Sequence, residues 1–433
     1  MCLHGDGGSF QRADSILVLS MRSLLSSANV GLSQMLLAAL PKSAVHQSTN
    51  PAEDTLVQLW RILKWSLDHM YYGKFPEMNH QGKPWPAKSK RGEVAGSQLH
   101  SQGLCGMIFS ITADGEFHQN HFGLPGASHN DCCWSCGANK STHPHNDYRA
   151  EAKWRTTLKD HTVKSPTEHI ITTVPGVNGY SFAYDSLHIL ELGVSSHILA
   201  NIMFDLVVKG EIHESTQEAR LKTLFRKLLE QYQEQGVDAS HQVRRLQLST
   251  FCQPKAKYSS FPDLTGIKGR EVRHMVGPFV EICKDFNDGT PYKKHRMLCI
   301  SNLSKMYECL EGQGLHPSTK AYQSFKKNTD LCLVHYSKLA KLAMSEGLLQ
   351  WNTVHKHHLA CHMPDQFQFL NCRFVATYTG ETMVGFIANL AHACLNGTKP
   401  HLVPAKVAWR YRLGMHLRCA HGDFGVLNSD DED

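Results

Sequence analysis

No stretch of this 433-residue chain approaches the ~18 uninterrupted apolar positions that a membrane-crossing helix needs. Its start, residues 1–10, has no basic region leading into an apolar core, so it does not read as a secretory signal. Cysteine rhythm is missing too. The 14 cysteines are scattered, which argues against a disulfide framework and fits reduced thiols plus a metal site. Charge of one sign is scarce in excess: 45 Lys and Arg against 39 Asp and Glu leave +6, which permits nucleic-acid binding without requiring it. No internal repeat is visible.

What remains is the composition of a globular chain, 41% hydrophobic and 19% charged, with a mean hydropathy of −0.33. Its length suits one large domain with insertions or two to three packed units. Histidine is abundant, at 28 residues, which makes metal chemistry and pH-sensitive charge more plausible than usual. Short basic clusters stand at Lys88-Ser-Lys90-Arg91 and Lys293-Lys294-His295-Arg296, each readable as a solvated loop.

The first 115 residues have an interpretable order. Cys2 and Leu3 lead into Asp6-Gly7-Gly8, read as a strand ending in a tight turn. The runs Ser15–Met21 and Met35–Pro41 predict two further strands. Between Glu53 and Tyr72, Leu56, Leu59, Trp60, Leu63, Leu67 and Met70 recur at helical spacing. Residues 73–101 read as loop, and Leu104–Thr112 as a fourth strand running into Ala113-Asp114-Gly115.

From about 116 to 180 the chain reads as irregular, and from 186 to about 350 as mostly helical. Ser215-Thr-Gln-Glu218 predicts a capping box opening a helix with an apolar stripe from Leu221 to Tyr232. Helices are also expected near 269–286, 300–312 and 319–345. A late helix, Tyr378–Cys394, carries Glu381 in its first turn. A basic-aromatic stretch, Trp409-Arg410-Tyr411-Arg412, and an acidic tail, Asp430–Asp433, read as disordered, close the chain.

Two motifs carry metal-ligand chemistry. Cys133-Trp-Ser-Cys136 puts two thiols on one turn, and Asp185-Ser-Leu-His188 puts a carboxylate and an imidazole on one helical turn. Together Cys133, Cys136, Asp185 and His188 make a tetrahedral Zn²⁺ set, with Cys132 or His129 as substitutes for a member. The other reading is two unrelated motifs without metal. A four-ligand site is closed, hence structural rather than water-activating. His358 and His362 share a helical face and read either as metal or phosphate contacts or as packing residues. Trp134 and Trp154 read as core aromatics.

Three acids form a separate constellation. Asp6 and Asp114 end two expected strands, each followed by glycine, and Glu381 opens a late helix. Carboxylates converging from strand ends and a helix can hold two Mg²⁺ ions about 4 Å apart for in-line attack on a phosphodiester. Taken singly, each also reads as a turn residue or a helix-terminus acid.

In that order, the chain resembles the RNase H-like catalytic core of eukaryotic cut-and-paste DNA transposases with an Asp-Asp-Glu triad. The block Tyr184–Gly193 is similar to the Asp-x-x-His block of CACTA-like and related elements, as is His358-x-x-x-His362 upstream of the Glu segment. The resemblance implies an α/β, RNase H-like core, a mixed sheet flanked by helices, interrupted by a large, mostly helical insertion and a small Cys/His zinc-binding segment. The expected division is 1–115 (core), 116–192 (zinc segment), 193–350 (helical insertion), 351–400 (core with the Glu helix) and 401–433 (extension).

The resemblance further implies that Asp6, Asp114 and Glu381 bind catalytic Mg²⁺ or Mn²⁺, while Cys133, Cys136, Asp185 and His188 hold structural Zn²⁺. It implies DNA and a second copy of the chain as partners, the nucleus as location, and neither a membrane nor an organic cofactor. Such cores normally follow a DNA-recognition module, so a chain starting five residues before Asp6 reads as N-terminally truncated. The alternative is a domesticated or decayed remnant: a zinc-stapled DNA- or protein-binding module without turnover. An unrelated zinc protein that binds RNA would explain the zinc pair but not the placement of the acids.

Overall fold

A computed structural model describes residues 1–12, 14–26, 33–162, 165–252 and 260–420; the acidic tail lies outside them. Strands β1 (Cys2–Gln11), β2 (Asp14–Arg22), β3 (Gln34–Pro41) and β4 (Ser110–Thr112) form one sheet in the order β3-β2-β1-β4. The longer helices begin with α1 (Thr55–Tyr72), α2 (Gly115–Phe122), α3 (Leu187–Val208), α4 (Gln217–Glu234) and α5 (Gly269–Asp285). They continue with α6 (Pro291–Glu311), α7 (Thr319–Ser345), α8 (His355–Phe367), α9 (Tyr378–Leu395) and α10 (Val403–Ala420). The fold is therefore mixed α/β, with a small mixed sheet and many helices.

The chain divides into two compact units. One gathers Met1–Leu124, Asp160–Ala183 and the chain from Thr377 on; the other gathers Pro125–Lys159 and Tyr184–Ala376.

In the first unit β1 pairs antiparallel with β2 and parallel with β4, and β2 pairs antiparallel with β3. The alternation of β2 turns Ile16 and Val18 toward α9, where Val384, Ile387, Ala388 and Ala391 meet them at helical spacing. Two glycines of β1 let helices approach from opposite faces. A Cβ on Gly5 would sit 2.2 Å from the Phe117 ring of α2, and one on Gly8 would sit 2.7 Å from Val384 Cγ1 of α9. Helix α1 starts where Asp54 Oδ1 accepts the Leu56 and Val57 N–H groups, both at 2.9 Å, and stops at Gly73 in the left-handed region.

Two expectations for this unit need correcting. Asp6 does not end β1: it lies in mid-strand opposite Val18, and the strand continues to Gln11 before pairing back to Asp14. Gly7 and Gly8, read as a turn, are extended residues of β1, and only Gly8 is kept small by the helix above it. Strand β4 is three residues long rather than nine, because its ladder with β1 begins at Cys2↔Ser110 and Leu104 and Met107 are solvent-exposed.

In the second unit, α3 is the helix among the described residues that is long and apolar enough to cross a membrane, at a mean hydropathy of 1.3. It is 83% buried inside the protein, as a core helix. Its Asp205, fully buried, accepts from Tyr292 Oη at 2.9 Å, Gln350 Nε2 at 2.9 Å and Arg296 at 3.0 Å. Arg296 also grips Glu211 with two nitrogens, at 2.8 and 2.7 Å. The second basic cluster is thus no solvated loop: it lies on α6, which starts at Pro291 rather than near 300, with Arg296 in the core. Helix α4 is capped by Thr216, whose hydroxyl accepts from Ala219 N–H at 3.1 Å, instead of by Ser215. Helices α5 and α7 fall where the periodicity puts them.

Candidate metal centre

The Cys133–Cys136 turn and helix α8 meet in the second unit. Cys133, Cys136, His358 and His362 place one ligand atom each within 4.8 Å of all the others, and every one of them is at most 1% exposed. Residues 358 and 362 are one helical turn apart on α8, so both imidazoles project from the same face. Among the described residues this is the set of His, Cys, Asp and Glu groups close enough to hold a metal ion.

The surroundings orient the ligands. Ser135 N–H donates to Cys133 Sγ and Ala138 N–H to Cys136 Sγ, each at 3.4 Å, which favours thiolates. His358 Nδ1 lies 3.0 Å from the His145 carbonyl, which can only accept. Its proton is therefore on Nδ1, and the Nε2 lone pair faces Cys136 Sγ at 3.4 Å. His362 Nε2 stands 3.3 Å from His358 Nε2, and its Nδ1 lies 3.5 Å from the Asp365 carboxylate. Burial alone would lower the His362 pKa, yet Cys133 and Asp365 outweigh it and push it up to about 9. The Cys133 hydrogen bond pulls the Cys136 thiol down against its burial. Burial pushes His358 the other way, below its ordinary value, which keeps that imidazole neutral.

Asp185 and His188 are not in this set. Asp185 Oδ1 accepts from Leu187 N–H at 3.2 Å and Oδ2 from His188 N–H at 3.1 Å, capping α3, while His188 Nδ1 meets the same Oδ2 at 2.5 Å. The residue just before them makes the link to the Cys turn. Tyr184 stacks on Trp134 at 4.9 Å and 12°, and its hydroxyl meets Ser135 Oγ at 2.5 Å. The expected pairing of Cys-x-x-Cys with Asp-x-x-His is thus replaced by Cys-x-x-Cys with His358-x-x-x-His362. That second pair was legible as a zinc-ligand spacing, but the 222 positions between Cys136 and His358 hid its partner. Neither suggested substitute joins. Cys132 Sγ contacts the Ala138 carbonyl, with burial raising its thiol to about 11, and His129 Nδ1 accepts from Gly126 N–H. Trp134 and Trp154 are core aromatics, Trp154 standing edge-on to His358 at 4.8 Å.

The three acids lie in the first unit. The parallel register runs Cys2↔Ser110, Leu3↔Ile111, His4↔Thr112 and stops there; Asp114 does not end β4 but lies two residues past it at the N-cap of α2, as Asp6 lies two residues past His4 within β1. Alternation along β1 puts His4, Asp6 and Gly8 on the face covered by α9, where a Cβ on Gly380 would sit 2.4 Å from His4 Nε2. Glu381 follows in the first turn of that helix. Asp114 caps α2, accepting from Phe117 N–H at 2.6 Å, and Asp6 accepts from Gly7 N–H at 2.7 Å. All three are half-buried. Their ligand atoms are not gathered as closely as those of the Cys/His cluster.

Compared with known proteins, the chain matches no protein-family model and has no significant sequence match among curated proteins.

Proposed function

We propose that the chain is a transposase-derived protein: an RNase H-like core for metal-dependent DNA phosphodiester hydrolysis and strand transfer, with a zinc-stapled helical insertion. The observation that supports this reading is the parallel β1–β4 pairing: Asp6 and Asp114 each follow its last pair, His4↔Thr112, by two residues, and Glu381 lies in the first turn of α9. An all-oxygen donor set of this kind suits Mg²⁺ or Mn²⁺. Bound there, such ions would activate the attacking hydroxyl and stabilise the leaving oxygen. DNA is then the partner, the nucleus the place of action, and a second copy of the chain the natural companion for joining two ends.

Zinc is the metal the Cys/His cluster suits best. With Zn–S near 2.3 Å and Zn–N near 2.0 Å, tetrahedral edges are about 3.5 Å for S···N and about 3.3 Å for N···N. The Cys136–His358 and His358–His362 separations, 3.4 and 3.3 Å, match those edges. With four protein ligands the site has no open position, so its role is to tie the Cys turn to α8.

The test is Mn²⁺-dependent nicking of a DNA duplex by wild type beside Asp114→Asn. Asparagine still caps a helix, so α2 is kept while a metal ligand is lost. Nicking is expected from wild type and a drop of at least about a hundredfold from the variant; equal rates would sink the triad. One observation favours the non-enzymatic remnant: the ligand atoms of the three acids are not gathered around a common centre as those of the Cys/His cluster are. On that reading wild type binds DNA, retains zinc and does not nick under any divalent cation.

A further inference from the structure

The first unit carries a surface cleft unrelated to the acids. Its back wall is α1, which presents Trp65, His69 and Tyr72; the loop after α1 supplies Phe75 and Met78. Two adjoining hollows, of about 520 and 390 Å³, share Trp65, His69 and Phe75, and Trp85 and Arg91 line the second. The Trp65 and Trp85 rings stand 6.4 Å apart, and the Arg91 guanidinium lies 4.7 Å over Trp85. Lys74 and Glu77 line the first hollow, so Arg91 in the second leaves the lining with one net positive charge. The loop is built rather than slack: Phe75 and the 96–97 segment exchange backbone hydrogen bonds at 2.8 and 3.0 Å, Leu99 N–H reaches Gly73 O at 2.8 Å, and Trp85 Nε1 donates to Pro76 O at 2.8 Å.

Charge identifies the occupant. Residues 73–101 carry Lys74, Lys83, Lys88, Lys90 and Arg91 against Glu77 and Glu93, so five minus two gives +3, half the formal charge of the whole chain. A cationic ligand would meet Arg91 already seated on the Trp85 ring. A purely apolar ligand would leave Lys74 and Arg91, the two cations that line the cleft, without a purpose. Accessible aromatic faces beside cations match a ligand that has flat rings and negative charge on one backbone, which is an unpaired strand of nucleic acid.

We propose that this cleft binds single-stranded nucleic acid, with bases stacking on Trp65 and Tyr72 while Lys74 and Arg91 meet the phosphates. The idea rests on the reading of the chain as a DNA-acting protein, and it supplies a site for unpaired nucleotides that the triad does not. A duplex hides its ring faces, so the cleft prefers single strands.

The test uses the full chain and a fluorescein-labelled twelve-residue oligothymidylate, beside a labelled duplex of equal length, by fluorescence anisotropy at fixed salt. Tyr72 is exposed, so Tyr72→Ala leaves the fold intact; it is expected to weaken single-strand binding about five- to a hundredfold and duplex binding less than twofold. Arg91→Ala is expected to weaken the single strand and to flatten the salt dependence of binding. Single-strand affinity of Tyr72→Ala within twofold of wild type, or an equal loss for duplex, overturns the proposal. Oligonucleotide binding by a wild-type chain that does not nick, or nicking by Asp114→Asn at the wild-type rate with binding intact, counts against the triad alone.

Discussion

Removing the metal from the Cys133/Cys136/His358/His362 cluster is expected to destabilise the second unit by about 5 kcal/mol. The bridge from Cys136 to His358 closes a loop of 222 positions. Treated as a chain cross-link, a closure of that length removes roughly 18 cal/mol/K of unfolded-state entropy, or about 5 kcal/mol at 25 °C. That is comparable to the whole net stability of a typical domain. For a unit of this size it corresponds to a fall in Tm of roughly 10–20 °C. The assay pairs metal analysis with thermal unfolding of untreated protein, chelator-treated protein and the variants Cys136→Ser and His358→Asn. One zinc per chain is expected in wild type and none in either variant. His188→Asn should keep its zinc, because His188 serves Asp185 and not the cluster. The reasoning fails if His358→Asn retains full zinc while His188→Asn loses it, or if chelation leaves the melting curve unmoved.

Arg296→Met would leave the buried Asp205 and the half-buried Glu211 without their guanidinium, at a cost of about 3–5 kcal/mol in urea unfolding; a change below about 1 kcal/mol would refute the role given to that network. Gly8→Leu forces a side chain into the space of Val384 and is expected to cost about 1–3 kcal/mol, whereas the exposed Gly7→Ala should be nearly neutral by the same measurement. His169, His274 and His335 are pushed down to about 4, first by burial and then by the neighbouring His121, His241 and His295 respectively. Between pH 6.5 and 4 the unfolded chain therefore binds more protons than the folded one, so stability is full above pH 6.5 and drains as pH falls toward 4. His335→Gln should flatten that slope in denaturant titrations, and an unchanged slope would exclude the pair His295/His335 as a contributor.

How much was legible in the sequence followed from how much of the patterning was apolar. Strands β2 and β3 and helices α1, α5, α7 and α9 carry periodic apolar residues, and each was found near its place. Strand β1 holds three glycines and four polar residues among its 10, and its extent depends on two helices that fill the space its glycines leave, which no local pattern displays. Helix α8, His355–Phe367, has four histidines and no apolar stripe, since nearly all of it is buried. The same lack of pattern hid the ligand set. Two pairs, Asp185/His188 and His358/His362, have equally suitable spacing, and only tertiary structure decides which of them reaches the cysteines.

The hydrogen bonds of the two aspartates explain why one motif lost its expected role while the other keeps its candidacy. A carboxylate has two oxygens and about four acceptor sites. Asp185 is deeply buried and commits both oxygens: Oδ1 caps Leu187, and Oδ2 takes both the His188 N–H and the His188 ring. Pulling it onto a metal would uncap α3 and leave an imidazole without its partner. Asp114 is half-buried and engages Oδ1 with a single backbone N–H. That bond fixes the direction of its side chain at a helix N-terminus without exhausting its acceptors. Capping and ligation are therefore rivals at Asp185 and compatible at Asp114, so the local use of Asp114 is no argument against a metal at that helix N-terminus.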